Sequence, residues 1–183
     1  WSKKQVDLYI STHRGFRNNA SQVVGLKFFN VYGPNEYHKG HQQSVVRTFF
    51  EQSRDLGVMR LYASNSPSFE NGEQSRDFVY VDDCADVIIW FINHPELSGI
   101  YNVGTGNMIS FNEVAQNIAT YLNAECKIEY IDMPENIRNQ YQNNTCANIN
   151  KLRECGYTHE MRPINAGIKD YIQNYLVQPD KYR

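Results

Sequence analysis

The sequence has no glycine-rich motif of the G-x-G-x-x-G or G-x-x-G-x-x-G type. Such a motif lets backbone N–H groups approach the pyrophosphate of a dinucleotide. The nearest pattern is Gly104-Thr105-Gly106, which has no third glycine and does not lead directly into a helix. From spacing alone, the 183 residues therefore carry no dinucleotide site of their own.

The sequence also gives little support for a membrane-spanning, nucleic-acid-binding or metal-binding protein. No apolar run approaches the roughly 20 residues of a membrane-spanning helix. The net charge of -2 does not favour nucleic acid or an anionic membrane as a partner. No C-x-x-C pair or histidine pattern completes a zinc site. We therefore expect no bound metal, a cytoplasmic protein, and reduced thiols at all four cysteines, which are Cys84, Cys126, Cys146 and Cys155.

The length of 183 residues is enough for one domain with a hydrophobic core. No internal linker, repeat or low-complexity segment divides the sequence, so we expect residues 1–183 to form a single unit. The first residue is Trp1 and not methionine. We therefore expect the chain to be part of a longer protein.

Hydrophobic periodicity predicts strands and helices that alternate through most of the chain, which is typical of the α/β class. Helices are predicted at residues 1 to about 19, 44–55, 82–93, 110–123, 149–155 and 163–176. Strands are predicted at residues 23–31, 60–62, 76–81, 100–103 and 127–131. The first strand is continuously apolar, which favours burial on both faces. Ser110 and Glu113 form a capping box, and Pro163 fits the first turn of a helix.

The segment from Phe29 to Pro34, F-N-V-Y-G-P, reads as a buried strand that ends in a turn. Its Asn30 stands near the carboxyl end of the strand, where ligands bind in open α/β sheets. A simple strand stop explains the same pattern, and spacing alone does not separate the two interpretations.

Two charged residues after this segment, Lys39 and Arg76, each allow a functional interpretation. Lys39, in the loop His38-Lys39-Gly40, can act as an acid or base towards a sugar, although a lone lysine is more often a solvated surface charge. Arg76 enters a predicted strand beside a polar loop, where its donor fork would match a diphosphate. The alternative for Arg76 is an ion pair with Asp77 or another carboxylate.

Four motifs in this order, F-N-V-Y-G-P, H-K-G, R-D-F-V-Y-V-x-D and G-x-Y-N-x-G-T-G, resemble the extended short-chain dehydrogenase/reductase family of sugar-nucleotide epimerases and dehydratases. The H-K-G loop and the late segment 137–145 resemble its ADP-glyceromanno-heptose 6-epimerase branch. The resemblance covers nearly the whole chain but only the second half of the family's length. It implies the C-terminal part of a Rossmann-type α/β fold with a substrate-binding subdomain, without the N-terminal glycine-rich half.

The resemblance also assigns roles to residues. Trp1-Ser2-Lys3 resembles the end of a Y-x-x-x-K motif, which implies a catalytic and cofactor-binding role for Lys3 and a tyrosine two positions before Trp1. Without the resemblance, Lys3 is a frayed terminal lysine. Lys39 is implied as a second acid/base group and, with Val31, as a contact to NADP. The implied substrate-binding residues are Asn30, His41, Thr48, Tyr62, Ala63, Ser64, Asn65, Arg76 and Tyr141.

The sequence departs from the family at three of these places. His41 stands where the family usually has a serine, and Thr48 stands where it often has a histidine. Residues 62–65, Tyr-Ala-Ser-Asn, replace the family's F-E-G-S. These departures affect the expected identity of the sugar and of the nucleotide base, but not the expected type of reaction.

The implied activity is that of an NADP-dependent isomerase that inverts C6 of ADP-D-glycero-D-manno-heptose in lipopolysaccharide precursor synthesis. The resemblance further implies a homo-oligomer, typically a pentamer, with an ADP-sugar substrate and with no nucleic-acid or membrane partner. The chain alone is predicted to be inactive. Two alternatives stay open: another nucleotide-sugar epimerase or dehydratase, and a non-catalytic sugar-nucleotide-binding module.

Overall fold

The computed structural model describes residues 2–12, 22–123 and 125–180, and it has the predicted α/β alternation. Seven α-helices are described: α1 Ser2–Thr12, α2 Val45–Leu56, α3 Val81–Ile92, α4 Phe111–Leu122, α5 Glu135–Arg138, α6 Asn150–Glu154 and α7 Ile164–Tyr171. A 3₁₀ segment spans Tyr37–Gln42, and a π-helical segment, Ile172–Leu176, continues α7. The described strands are β1 Val24–Phe28, β2 Asn30–Tyr32, β3 Val58–Tyr62, β4 Ser75–Arg76, β5 Phe78–Tyr80, β6 Gly99–Val103, β7 Ile109–Ser110, β8 Lys127–Ile131 and β9 Asn144–Thr145.

Parallel pairing dominates the sheet contacts. β1 pairs with β6, β2 with β5, and β3 with β8, all in parallel. The short strand β4 lies between β7, which is antiparallel to it, and β9, which is parallel. Helical crossovers between parallel strands confirm the predicted α/β class.

The prediction of one continuous strand over residues 23–31, buried on both faces, was wrong. The chain changes its pairing partner at Phe29. The N–H of Phe29 donates to the carbonyl oxygen of Val103 at 2.9 Å, and the N–H of Asn30 donates to the carbonyl oxygen of Asp77 at 3.0 Å. Within the described residues, β1 has β6 as its one neighbouring strand, so its side chains are only partly covered. Phe28 is accordingly 43% exposed.

The central strand β5 supplies side chains to two hydrophobic clusters. Phe78 and Tyr80 belong to the first cluster, which α2, β3, α4 and α7 complete. Val79 points the other way, into a second cluster built from α3, β6 and α6. Because successive side chains of a strand alternate between its faces, three residues are enough to join both clusters.

The helix ends follow local sequence signals. Ser44 and Ser110 are the N-caps of α2 and α4, and their hydroxyl oxygens accept hydrogen bonds from the N–H groups of Arg47 and Glu113. The cap predicted at Ser110 is therefore confirmed. Pro163, predicted to lie in the first turn, is the N-cap of α7, one residue before the observed first turn.

One predicted helix extends beyond the described residues, and another changes its hydrogen bonding along its length. The N-terminal helix, predicted to reach about residue 19, is described as far as Thr12, and residues 13–19 lie outside the described part of the chain. The helix predicted at 163–176 changes to π-helical hydrogen bonding at Ile172. None of the helices in the described ranges is both long and apolar enough to cross a membrane.

Candidate functional site

A small cavity, here called the Lys39 cavity, opens where β2 and β5 end. Its volume is about 150 Å³, and its lining consists of residues 31–36 together with Lys39 and Val81. The turn at Gly33 has φ of 136°, and a β-carbon there would lie 2.6 Å from Cγ1 of Val81, so the position requires glycine. Two residues predicted to contact a cofactor, Val31 and Lys39, thus meet at the carboxyl end of parallel strands, where α/β proteins bind ligands.

A second cavity of about 250 Å³, the Tyr141 cavity, collects three of the predicted substrate contacts. Thr48, Tyr62 and Tyr141 all line it. The rings of Tyr62 and Tyr141 meet edge to face, with centroids 6.2 Å apart. The other lining residues are Val45, Phe49, Gln52, Arg60, Leu61, Phe111 and Ile131. The lining is mostly apolar with a few polar groups, as is typical of a pocket for a small organic molecule.

Arg76 stands beside the Tyr141 cavity with a partly buried guanidinium group. The guanidinium carbon lies 4.9 Å from the ring centre of Tyr141 and 5.7 Å from that of Phe111. Its Nη1 donates to the backbone oxygens of Ser75 and Asn143, at 2.8 and 3.1 Å. Burial lowers the pKa of Arg76. Within the described residues, no carboxylate forms an ion pair with this group, which therefore suits an anionic ligand.

Asp77 does not pair with Arg76, so that alternative for the arginine was wrong. The Asp77 side chain is fully buried and accepts four hydrogen bonds of 2.7–3.0 Å. The donors are the N–H and hydroxyl of Thr105 and the N–H groups of Gly106 and Ala147. Asp77 lies between β4 and β5 and faces these donors, whereas the Arg76 guanidinium faces the rings of Tyr141 and Phe111. Asp77 thus fixes the G-T-G turn while Arg76 stays available.

The remaining predicted residues line neither cavity. Lys3 is an exposed residue of α1, Asn30 is exposed on β2, and His41 is exposed in the 3₁₀ segment. The segment 63–65 is tied down locally, for example by a hydrogen bond from Ser64 Oγ to the oxygen of Ser66 at 2.7 Å. Nδ2 of Asn65 donates to Arg138, whereas its Oδ1 is buried and has no hydrogen-bond partner among the described residues.

A third cavity, of about 620 Å³, contains none of the predicted site residues. It opens between the start of α4 and the segment 160–165, which includes the first residues of α7. Arg162 forms ion pairs with Asp170 at 3.2 Å and Asp82 at 3.6 Å, whereas Arg153 donates to two backbone oxygens, as Arg76 does. This cavity differs from the Tyr141 cavity because Glu113 and Glu160 line it, while no carboxylate of the described residues lines the Tyr141 cavity.

Sequence reasoning missed several residues at the two cavities. Gln52, Arg60 and Phe111 line the Tyr141 cavity, and Glu36 lines the Lys39 cavity. The signal for Glu36 was its position between the N-V-Y-G-P turn and the H-K-G loop. The other three come from α2, β3 and α4, and only the tertiary structure brings them together.

The parallel strands, and the cavity beyond their carboxyl ends, define the chain as part of a Rossmann-like α/β protein. More specifically, the chain belongs to the NAD-dependent epimerase/dehydratase family, which residues 4–104 match. It is 44% identical over 172 residues to the ADP-L-glycero-D-manno-heptose-6-epimerase of Fusobacterium nucleatum, covering 91% of this chain and 52% of that protein. The chain spans about half the length of the curated relatives it matches.

Solved structures agree with this assignment. The Helicobacter pylori ADP-L-glycero-D-manno-heptose-6-epimerase superposes with a TM-score of 0.77 at 29% identity, over 94% of this chain and 49% of that one. The UDP-glucose 4-epimerase of Thermus thermophilus, solved in complex with NAD, gives a TM-score of 0.69 at 24% identity, over 93% of this chain and 50% of that one. The second similarity concerns the fold alone.

Proposed function

We propose that the intact protein is an ADP-glyceromanno-heptose 6-epimerase, an isomerase that inverts C6 of ADP-D-glycero-D-manno-heptose in lipopolysaccharide precursor synthesis. The observation that carries the proposal is Arg76, a partly buried cation without a carboxylate partner, packed on Tyr141 beside an aromatic cavity. A diphosphate would neutralise that charge, and the apolar cavity would take a nucleoside base. The identity to relatives of that name supports the choice of sugar.

In this proposal the Tyr141 cavity holds the nucleotide. The rings of Tyr62 and Tyr141 offer apolar contact to an adenine base, and Thr48 offers a hydroxyl. Residues 63–65 contribute the adjoining loop, in which Nδ2 of Asn65 donates to the carbonyl oxygen of Arg138 at 3.0 Å. Asn30 and His41 are assigned to the sugar because they flank the Lys39 cavity in sequence.

The Lys39 cavity is the place for proton transfer. A neutral Lys39 amine can take the proton from the 6-hydroxyl of the sugar, and the ammonium can return it, since an amine is a donor in one form and an acceptor in the other. The second acid/base group is proposed to be a tyrosine two positions before Trp1, with Lys3 as its motif partner. Inversion needs both groups, because the hydrogen on C6 leaves one face of the carbon and returns to the other, so the 6-oxygen loses and regains its proton in two orientations.

A dinucleotide fits the described residues only in part. The 183 residues lack a glycine-rich pyrophosphate cradle. The Lys39 cavity of about 150 Å³ is similar in size to cavities that hold a single aromatic ring. Val31 and Lys39 are therefore proposed to contact the nicotinamide end of NADP. When bound, that cofactor supplies reversible hydride transfer at C6.

The proposal takes residues 1–183 as one unit, which carries the last elements of the dinucleotide-binding domain and the substrate-binding domain. It further takes the intact protein as a homo-oligomer in the cytoplasm, pentameric as in the family. The oligomeric state is open to measurement by light scattering, and a monomer would contradict it.

The experiment uses the intact, NADP-loaded protein with ADP-D-glycero-D-manno-heptose, and NMR follows the appearance of the C6 epimer. Lys39→Met should lower kcat by roughly 100-fold or more, as expected for loss of a general acid/base. Lys169→Met, at an exposed position of α7, is the matched control and should leave kcat unchanged. No conversion by the folded wild-type protein would reject this sugar, and full activity of Lys39→Met would reject the role of Lys39.

A further inference from the structure

The loop that carries Lys39 has no hydrophobic anchor of its own. Residues 37–42 include no buried side chain, and residues 38–42 are all exposed. Gly40 interrupts the 3₁₀ segment with φ of 53° and ψ of -124°. At the start of the loop, the guanidinium carbon of Arg47 lies 4.2 Å from the ring centre of Tyr37. Other contacts must therefore hold the remainder of the loop in place.

Glu36 supplies those contacts from a buried position. Its side chain is 3% exposed. One carboxylate oxygen accepts from the N–H of Ser44 at 2.5 Å, and the other accepts from the Ser44 hydroxyl at 2.7 Å. The hydroxyl of Tyr171, at the end of α7, donates to the same carboxylate at 3.1 Å. The side chain of one residue thus ties together both ends of the loop and a third element.

The backbone of Glu36 adds a further connection. Its carbonyl oxygen accepts a hydrogen bond from the N–H of Lys39 at 3.1 Å. Beyond Lys39, the N–H of Gln43 donates to the oxygen of Gly40, also at 3.1 Å. The Glu36 carboxylate therefore joins the two ends of the segment 36–44, and two backbone hydrogen bonds stabilise the segment internally.

The donors around Glu36 are neutral groups. Within the described residues, no lysine, arginine or histidine forms an ion pair with this carboxylate. Burial raises the pKa of Tyr171, and the negative charge of Glu36 raises it further, so the phenol remains a donor. Burying a carboxylate costs free energy unless hydrogen bonds compensate for the loss of water. Three donors compensate here, beside the loop that carries Lys39.

We propose that Glu36 is a positioning residue that holds the Lys39 amine at its cavity by closing loop 37–43 onto the N-terminus of α2. This inference rests on the proposed function, because the position of the Lys39 amine affects catalysis only where Lys39 reacts with the sugar. Glu36 itself lines the Lys39 cavity, so a shift of its carboxylate would move the loop and the cavity wall together. A displacement of about 1 Å in a reacting group can cost roughly 100-fold in rate.

The first test compares two serine caps on the intact protein. Ser44 and Ser110 both cap a helix with the same type of hydrogen bond, but only Ser44 also binds a buried carboxylate. Ser44→Ala and Ser110→Ala should lower the melting temperature similarly. Only Ser44→Ala should lower kcat, by about 10-fold, with KM changed by less than about 3-fold. Equal kcat values for the two variants would overturn the proposal.

The second test uses Glu36→Gln. In this variant an NH₂ group replaces one of the two accepting oxygens, so that a donor faces another donor. We expect kcat to fall by roughly 100-fold with little change in KM. Amide hydrogen exchange gives a readout that does not depend on turnover. The N–H groups of Lys39 and Gln43 should exchange at least about 10-fold faster in Glu36→Gln, while those of α4 stay unchanged.

The two readouts separate this proposal from the function on which it rests. Faster exchange in loop 37–43 of a protein that does not epimerise the sugar would support the role of Glu36 and reject the substrate. Unchanged exchange would overturn the role of Glu36 whatever the activity. If Glu36→Gln does not fold, the Ser44→Ala and Ser110→Ala pair decides by the same two measurements.

Discussion

The backbone of Gly104 lies directly against the side chain of Asp77. A β-carbon at residue 104 would lie 2.8 Å from Oδ2 of Asp77 and 2.7 Å from the β-carbon of Ala147. Both distances are shorter than real β-carbons tolerate, so a side chain here must displace the buried carboxylate or the segment that donates to it. The close approach explains by packing alone why the G-T-G turn begins with glycine.

We therefore expect Gly104→Ala to destabilise the protein by about 1–3 kcal/mol. Gly25→Ala is a matched control, because a β-carbon there would meet its nearest neighbour, Ile100, at an ordinary 3.4 Å. Thermal unfolding followed by circular dichroism should show a clear decrease in Tm for the first variant and a small change for the second. Similar Tm values for both would contradict the packing argument.

Arg76→Lys should weaken binding of ADP to the intact protein although it keeps the positive charge. Lysine lacks the planar donor fork that matches a diphosphate and the flat surface that packs on Tyr141. We expect the dissociation constant for ADP, measured by calorimetry, to rise roughly 10- to 100-fold. Arg54→Lys, at an exposed ion pair with Asp55, should leave it unchanged. A wild-type affinity in Arg76→Lys would exclude the diphosphate contact.

Cys84 should resist alkylation in the folded protein. Burial raises the pKa of its thiol to about 12, and the side chain is 6% exposed, whereas Cys146 is exposed. Iodoacetamide at pH 8, followed by mass spectrometry, should modify Cys146 rapidly and Cys84 only after unfolding in urea. Rapid native labelling of Cys84 would contradict its burial.

The same raised pKa of Cys84 links stability to pH. An unfolded cysteine ionises near pH 8.5, so below that pH the thiol is protonated in both states and its contribution is fully present. As the pH rises towards about 12, only the unfolded state loses the proton, and the free energy of unfolding falls. Urea titrations between pH 8 and 11 should show a decline that is smaller in Cys84→Ala.

The 183-residue chain, expressed alone, should show no epimerase turnover. It lacks a glycine-rich cradle for the cofactor, and the tyrosine of the proposed Y-x-x-x-K motif would precede Trp1. The NMR assay of C6 inversion is sensitive enough to compare it with the intact protein at equal concentration. Turnover by a preparation proven free of the intact protein would refute this expectation.

Local signals in the sequence predicted local features well. Ser110 indicated a helix start, and the apolar face of residues 44–55 indicated α2, because capping and periodicity act within a few residues. Val31 and Lys39 line one cavity, and Thr48, Tyr62 and Tyr141 line another, while the roles that the motif resemblance assigns to these residues stay predictions.

Features that depend on distant partners could not be predicted. The break at Phe29 exists because β1 and β2 pair with strands about 50–75 residues away in sequence, and no local pattern records that change. The separation of Arg76 from Asp77 depends on donors at residues 105, 106 and 147. The burial of Glu36 likewise depends on Tyr171, from the far end of the chain.

Strand β5 begins one residue after Asp77 and supplies Phe78 and Tyr80 to one hydrophobic cluster and Val79 to the other. The two clusters lie on opposite faces of β5, and each packs directly against this strand. Ligand binding to the native state raises the free energy of unfolding by mass action. An anion bound at Arg76, two residues before Phe78, would therefore reinforce both clusters at once, and its effect would extend well beyond the cavity in which it sits.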